Sequence, residues 1–233
     1  MRCIGLVTTV ALVCGHPAMA SMTPQQRNDL LQQAISAQKD HQPDRVVELT
    51  DKVIKDFDEG FTPKPKTLYF CGRDQTEMII LSALVPAEKF GTVVLDDSQC
   101  FALFLKGFAL VDLNRHDEAG PLFQRASEMS PTNMQYMDEY AEWFKTSHKW
   151  REAYDRFEQA NNMTDLIDAQ HGQIHLARAL RGMGFCLIEL GRLDDAEAKF
   201  NESLKIVPNN PAALNELKYI QQLRANLAKQ KPN

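Results

Sequence analysis

Apolar residues return every three or four positions over most of this chain, with polar residues between them. Leu30, Leu31, Ala34 and Ile35 follow that spacing, a polar turn spans Lys39 to Pro43, and Val46, Val47, Leu49, Val53 and Ile54 resume it. Residues 21–60 are therefore expected to form a degenerate hairpin of two amphipathic helices. Thr23-Pro24-Gln25-Gln26 reads as its capped start, with proline in the first turn. The run Gly60-Phe61-Thr62-Pro63-Lys64-Pro65-Lys66 breaks helix at two prolines and predicts a loop or extended linker. Helical periodicity returns around Thr76 to Leu84 and is interrupted at Pro86 and Gly91, after which Val93-Val94-Leu95-Asp96-Asp97 reads as a closing helix with its turn. Residues 61–99 are thus expected as a linker and a degenerate repeat.

From residue 100 onward the periodic pattern itself repeats. Gly107…Ala119-x-x-x-Phe123-x-x-Ala126…Pro131 is followed by Ala141…Ala153-x-x-x-Phe157-x-x-Ala160, and then by Gly184…Ala196-x-x-x-Phe200-x-x-Ser203…Pro208. Ala119 and Ala153 are 34 residues apart, the period of one common helix-turn-helix repeat, and Ala153 and Ala196 are 43 apart. The difference predicts an insertion at 168–176. Two antiparallel helices approach closely only where the crossing residues are small, so Gly107, Ala119, Ala126 and their equivalents belong at the crossings, with the phenylalanines filling the space between hairpins. Polar turns such as Leu113-Asn114-Arg115-His116-Asp117 and Leu190-Gly191-Arg192-Leu193-Asp194 separate the paired helices, Gly191 offering a left-handed helix end. Pro211 opens a last helix through Leu214, Leu217, Ile220 and Leu223, polar on its other face, as a capping helix over 211–228 requires.

With these residues in hand, 100–133, 134–167 and 177–210 resemble tetratricopeptide repeats. Leu103-x-x-Lys106-Gly107-x-x-Leu110 and Leu180-x-x-Met183-Gly184-x-x-Leu187 occupy the family's signature positions. The middle unit offers Met137-x-x-Tyr140-Ala141-x-x-Phe144 and has Asp165 where the closing proline belongs. The resemblance implies an all-α, right-handed superhelical solenoid of antiparallel helix pairs whose first helices line a concave groove. Carried onto this chain, the groove positions are Phe101, Phe104 and Phe108, then Gln135, Asp138 and Glu142, then Arg178, Arg181, Phe185 and Ile188. They describe an apolar floor with an acidic step and a basic step, suited to a helix or extended peptide. Phenylalanines at helical spacing serve equally well as core, and the 67–99 segment is a candidate to fill the groove from within. The subfamily that clamps a free carboxylate needs more converging basic and amide residues than Arg178 and Arg181 supply.

Export changes where that groove would work. Arg2, the apolar run Ile4 to Val13 and Ala18-Met19-Ala20 read as a signal peptide over residues 1–20 with cleavage after Ala20, and Ile4 to Val13 is too short to span a bilayer. Ser21 to Asn233 would remain, in a periplasmic or secreted protein, with net charge going from −5 to −6 on loss of Arg2. Such a chain, mildly acidic and lacking a long basic run, carries no electrostatic footprint for nucleic acid or anionic lipid, and no membrane insertion of the mature chain is expected. Three cysteines remain. Cys71 and Cys100 flank the irregular segment and form the candidate disulfide, three reduced, packed thiols being the alternative.

Enzyme signatures are missing from the pattern: there is no Gly-rich phosphate loop, Gly-x-Ser-x-Gly elbow or Cys-x-x-Cys pair. His171-x-x-x-His175, with Asp165 or Asp168 nearby, has a metal-like spacing, but it lacks the glutamate of a His-Glu-x-x-His site. No metal and no cofactor is expected. The sequence points to a non-enzymatic scaffold or adaptor of the bacterial cell envelope with a protein or peptide partner, or alternatively to an immunity or inhibitor protein that neutralises a toxin or enzyme in the same compartment.

Overall fold

The computed structural model describes residues 21–60, 63–84, 89–162 and 169–230. The signal-like segment, Asp165, Asp168 and the side chain of His171 lie outside the described residues. The elements run α1 (Pro24–Lys39), α2 (Pro43–Gly60), β1 (Thr67–Gly72), α3 (Gln75–Ala83), β2 (Gly91–Asp96), α4 (Ser98–Asp112), α5 (His116–Met129), α6 (Met134–Thr146), α7 (Trp150–Asn162), α8 (Ala169–Glu189), α9 (Leu193–Ile206) and α10 (Pro211–Gln230). The fold is an all-α stack of hairpins, α1/α2, α4/α5, α6/α7 and α8/α9, with α10 packed on the last pair. Most of the region expected as an insertion lengthens α8 at its N-terminus.

The hairpins recur because their contacts recur. Ala119, Ala153 and Ala196 are fully buried, as are Ala126, Ala160 and Ser203 one turn beyond each phenylalanine. A side-chain carbon added to Gly107 would sit 2.6 Å from the Phe123 ring, and one added to Gly184 would sit 2.8 Å from Phe200, so each glycine admits its own hairpin's phenylalanine. Phe157 does more: its ring would lie 2.5 Å from such a carbon on Gly182, which belongs to the next hairpin. Every first helix also ends alike. His41, Asn114, His148 and Gly191 all have positive φ, and each following amide donates back across the turn, Gln42 to Ala37, Arg115 to Leu110, Lys149 to Phe144 and Arg192 to Leu187. That pairing, completed by the amide of the positive-φ residue itself, is a Schellman motif.

Residues 61–99 depart from expectation. Among the described residues no decayed repeat lies there; α2 stacks directly against α4, and the chain between the two forms a lobe of two parallel strands and α3, in register from Thr67↔Gly91 to Gly72↔Asp96. The apolar run Val93-Val94-Leu95 is a strand and not a closing helix. Parallel strands covered on both faces show continuous apolar runs without alternation, so periodicity cannot separate them from a short buried helix. Phe70, Gly72 and Val94 share the face towards α3, where Gly72 makes room for Met78. Cys71 lies on the other face and is disulfide-bonded to Cys100 on α4.

Buried polar groups fasten the same end of the lobe. The Ser130 hydroxyl donates to the Cys71 carbonyl at 3.1 Å, Thr132 donates to Glu77 at 2.6 Å, and the Tyr136 hydroxyl donates to Asp97 at 2.8 Å. Burial acts to raise the pKa of Glu77, but bonds from Arg73 and Thr132 outweigh it and hold the carboxylate below its ordinary value. Asp97 has less help. Burial lifts its pKa to about 7 despite Tyr136, and its Oδ1 has no partner among the described residues.

Candidate partner-binding groove

The ten groove residues separate into four sets. Phe104, Asp138 and Ile188 are buried. Phe104 is the hub of an aromatic cluster, 5.1 Å from Phe108, 6.3 Å from Phe101, 6.5 Å from Phe123 and 4.9 Å from Tyr136 between ring centroids. It therefore joins α4 to α5 and α6 and is core, while Phe101 and Phe108 stay half-exposed against the same core. Gln135 is exposed at the start of α6. Glu142, Arg178, Arg181 and Phe185 come together.

These four line a cavity of about 290 Å³ between α6, α8, α9 and α10, closed by Lys145, Gly182, Phe200, Ala212 and Glu216. Glu142 and Arg178 face each other because hairpins stack first helix on first helix, so α6 and α8 run side by side. Lys145 pairs with Glu142 at 2.9 Å and lies 4.6 Å above the Phe185 ring. Arg178 donates to Glu139 at 2.6 Å. Arg181 has no ion pair among the described residues, and burial, then the charge of Arg178, depresses its pKa. A guanidinium in this position gains from any anionic group brought to it.

Behind the wall sits Asp138, fully buried, with the His175 Nδ1 3.2 Å from its Oδ2 and its Oδ1 unpartnered among the described residues. Burial raises its pKa, opposed by His175 and Arg178. The acidic step expected at Asp138 is thus a packed group that ties α6 to α8, since an apolar helix contact leaves it no route to solvent. Burial likewise raises Glu139 and Glu216. Lys145, Gly182, Phe200, Ala212 and Glu216 are not among the expected groove positions. Lys145 carried a signal, lying one helical turn beyond Glu142, whereas Glu216 enters from the capping helix and carried none.

Chemistry beyond binding finds few components. His175 points to Asp138. The sulfurs of Cys71 and Cys100 lie near Asp97 but are joined to each other, and burial pushes the free Cys186 thiol up to about 12, far from a nucleophile's range. No helix among the described residues is long and apolar enough to cross a membrane.

A stack of 34-residue helix pairs with small residues at each crossing defines the tetratricopeptide-repeat class. The family model for the tetratricopeptide repeat matches residues 177–210, so that unit is a tetratricopeptide repeat. Among curated proteins none matches. Two solved structures share the fold over most of the chain. PilW, described as a widely conserved type IV pilus biogenesis factor, aligns with a TM-score of 0.58 at 17% identity, covering 88% of this chain and 73% of its own. PilF of Pseudomonas aeruginosa aligns with a TM-score of 0.56 at 12% identity, covering 90% and 78%.

Proposed function

We propose that the chain is a non-enzymatic scaffold or adaptor of the bacterial cell envelope, holding a protein or peptide partner in the groove between α6, α8, α9 and α10. The observation that carries this reading is the composition of that cavity: an aromatic floor from Phe185 and Phe200, walls of both charge signs, and one arginine, Arg181, with no ion pair among the described residues. Such a surface rewards a ligand that offers an apolar side chain flanked by an acid. The export pattern of the first twenty residues and the fold shared with PilF and with PilW, the latter titled as a pilus biogenesis factor, support the envelope as its place of work.

Crosslinking and pull-down from the native compartment test it, using wild type beside Arg181→Glu and Glu142→Lys. Both side chains are half-exposed, so helicity by circular dichroism is expected to persist while the partner is lost by at least tenfold, as expected for about 1.4 kcal/mol or more at a central charged contact. Retention of every partner by both charge reversals removes the groove from the function.

A further inference from the structure

The disulfide that fastens the lobe stands beside an acid. Cys71 lies near the end of β1, Asp97 and Cys100 lie one helical turn apart at the start of α4, and the two sulfurs and one Asp97 carboxylate oxygen all fall within 4.8 Å of one another. Asp97 is the N-cap residue of α4, yet its side chain makes no capping bond. Tyr136 donates to its Oδ2 at 2.8 Å, and Oδ1 is buried with no partner among the described residues. A buried carboxylate oxygen without a donor is costly. The two sulfurs beside it, once parted and ionised, would need a cation as well.

Two cysteines and an aspartate are a donor set for a zinc-class divalent ion, which accepts both thiolate and carboxylate. Cα atoms 6.2 Å apart leave room for the sulfurs to separate to about 3.8 Å, the spacing of two thiolates on one tetrahedral zinc with bonds of about 2.3 Å. Groups behind the ligands are already in place. The Ser130 hydroxyl holds the Cys71 carbonyl at 3.1 Å, and the Tyr136 hydroxyl orients the Asp97 carboxylate through Oδ2. Two thiolates and a carboxylate exceed the charge of a divalent ion by one. That excess meets the N-terminus of α4, while Arg73 and Glu77 act on Asp97 with opposite signs.

We infer that Cys71, Cys100 and Asp97 form a zinc-class metal site that the disulfide closes and reduction opens. A dithiol reductant takes the bond apart: its own two thiols become a disulfide, two electrons and two protons pass to Cys71 and Cys100, and the arriving ion displaces those protons as both sulfurs bind it. Asp97 supplies the third bond and a water the fourth. Both cysteines are fully buried, so reductant and ion enter when the lobe opens locally. The lobe stays fastened to α4 in either redox state, by a covalent bond in one and by metal bonds in the other. The site is independent of what the groove binds.

Cobalt(II), a coloured stand-in for zinc, tests it on the chain lacking residues 1–20, reduced with a phosphine, freed of excess reductant and kept from air. One equivalent is expected to bind with a thiolate-to-cobalt charge-transfer band and the visible bands of a tetrahedral ion, and zinc is expected to displace it. The oxidised chain is expected to show neither. Zinc is also expected to raise the thermal midpoint of the reduced chain alone. Asp97→Asn is expected to weaken cobalt binding at least about tenfold, the least that losing even a group behind the ligands costs. Cys100→Ser is expected to abolish binding, and Cys186→Ser, which alters the buried free thiol of α8, to leave it intact. No cobalt uptake by the folded reduced chain, uptake indifferent to Asp97→Asn or to Cys100→Ser, uptake lost in Cys186→Ser, or equal uptake by the oxidised chain overturns the inference. So does a loss of helicity on reduction that zinc does not restore. The Arg181 and Glu142 charge reversals leave these outcomes unchanged, so the two readings fail separately.

Discussion

The hairpins and the inserted lobe solve the same problem by opposite means. Each hairpin holds together through contacts repeated along the chain, a small residue facing a phenylalanine and a left-handed residue closing the first helix, as at Gly107 with Phe123 and at Gly184 with Phe200. The lobe has two strands and one short helix, too little to be stable alone, and it is held from outside by Cys100, Ser130, Thr132 and Tyr136. Repetition makes the solenoid tolerant, since each unit leans on its neighbours. The lobe depends on a few bonds that occur once. The candidate groove follows this division, arising where repeats stack.

Removing the disulfide should separate the two regions most. The bond closes a loop of sequence separation 29, and Cys71→Ala with Cys100→Ala is expected to cost about 3 kcal/mol. Hydrogen exchange should then accelerate in β1, α3 and β2 well before α8 and α9. Uniform acceleration through all the hairpins would show that the lobe is part of the cooperative unit and the contrast is false.

A smaller effect comes from the buried acid that joins lobe to stack. The pKa of Asp97 in the folded chain, about 7, lies above the unfolded carboxyl range near ~4. Its favourable contribution is therefore complete below that range and is lost as pH rises through about 7. Asp97→Asn retains an acceptor for Tyr136 without the charge. It is expected to match wild type at pH 4 and to exceed it at pH 8 by about 2 kcal/mol, half of the ~4 kcal/mol that three pKa units would give, because solvent screens a partly accessible carboxylate, read from urea denaturation at both pH values. A difference independent of pH would place the cause elsewhere. The smallest effect belongs to the hairpin turns. Gly191 has φ of +74° and open space around it, so Gly191→Ala is expected to cost about 1 kcal/mol by backbone strain alone, and a neutral result would deny the turn its left-handed requirement.

Much of the stack was legible because local sequence and tertiary contact repeat together. The 34-residue spacing, the alanines ahead of each phenylalanine and the Gly191 turn all encode a packing that occurs several times, so each occurrence supports the others. The lobe offered no such redundancy. Val93-Val94-Leu95 suits a buried strand or a short helix equally, and only a partner at Thr67 to Gly72, far back in the chain, decides between them. For the groove positions, the spacing placed Glu142, Arg178, Arg181 and Phe185 on faces that line one cavity, while Phe104 and Asp138 are buried, since helical spacing names a face without saying whether another helix covers it.

The sequence by itself therefore determined the repeat, its helices and their turns, since these depend on residues a few positions apart and on a motif that the chain states three times. Only the tertiary structure decided that a βαβ lobe interrupts the stack, that Glu216 from the cap closes the cavity around Arg181, and that Asp97 lies beside the joined sulfurs of Cys71 and Cys100. Those depend on distances between segments remote in sequence, and burial, charge neighbourhood and pKa are properties of the assembled surroundings.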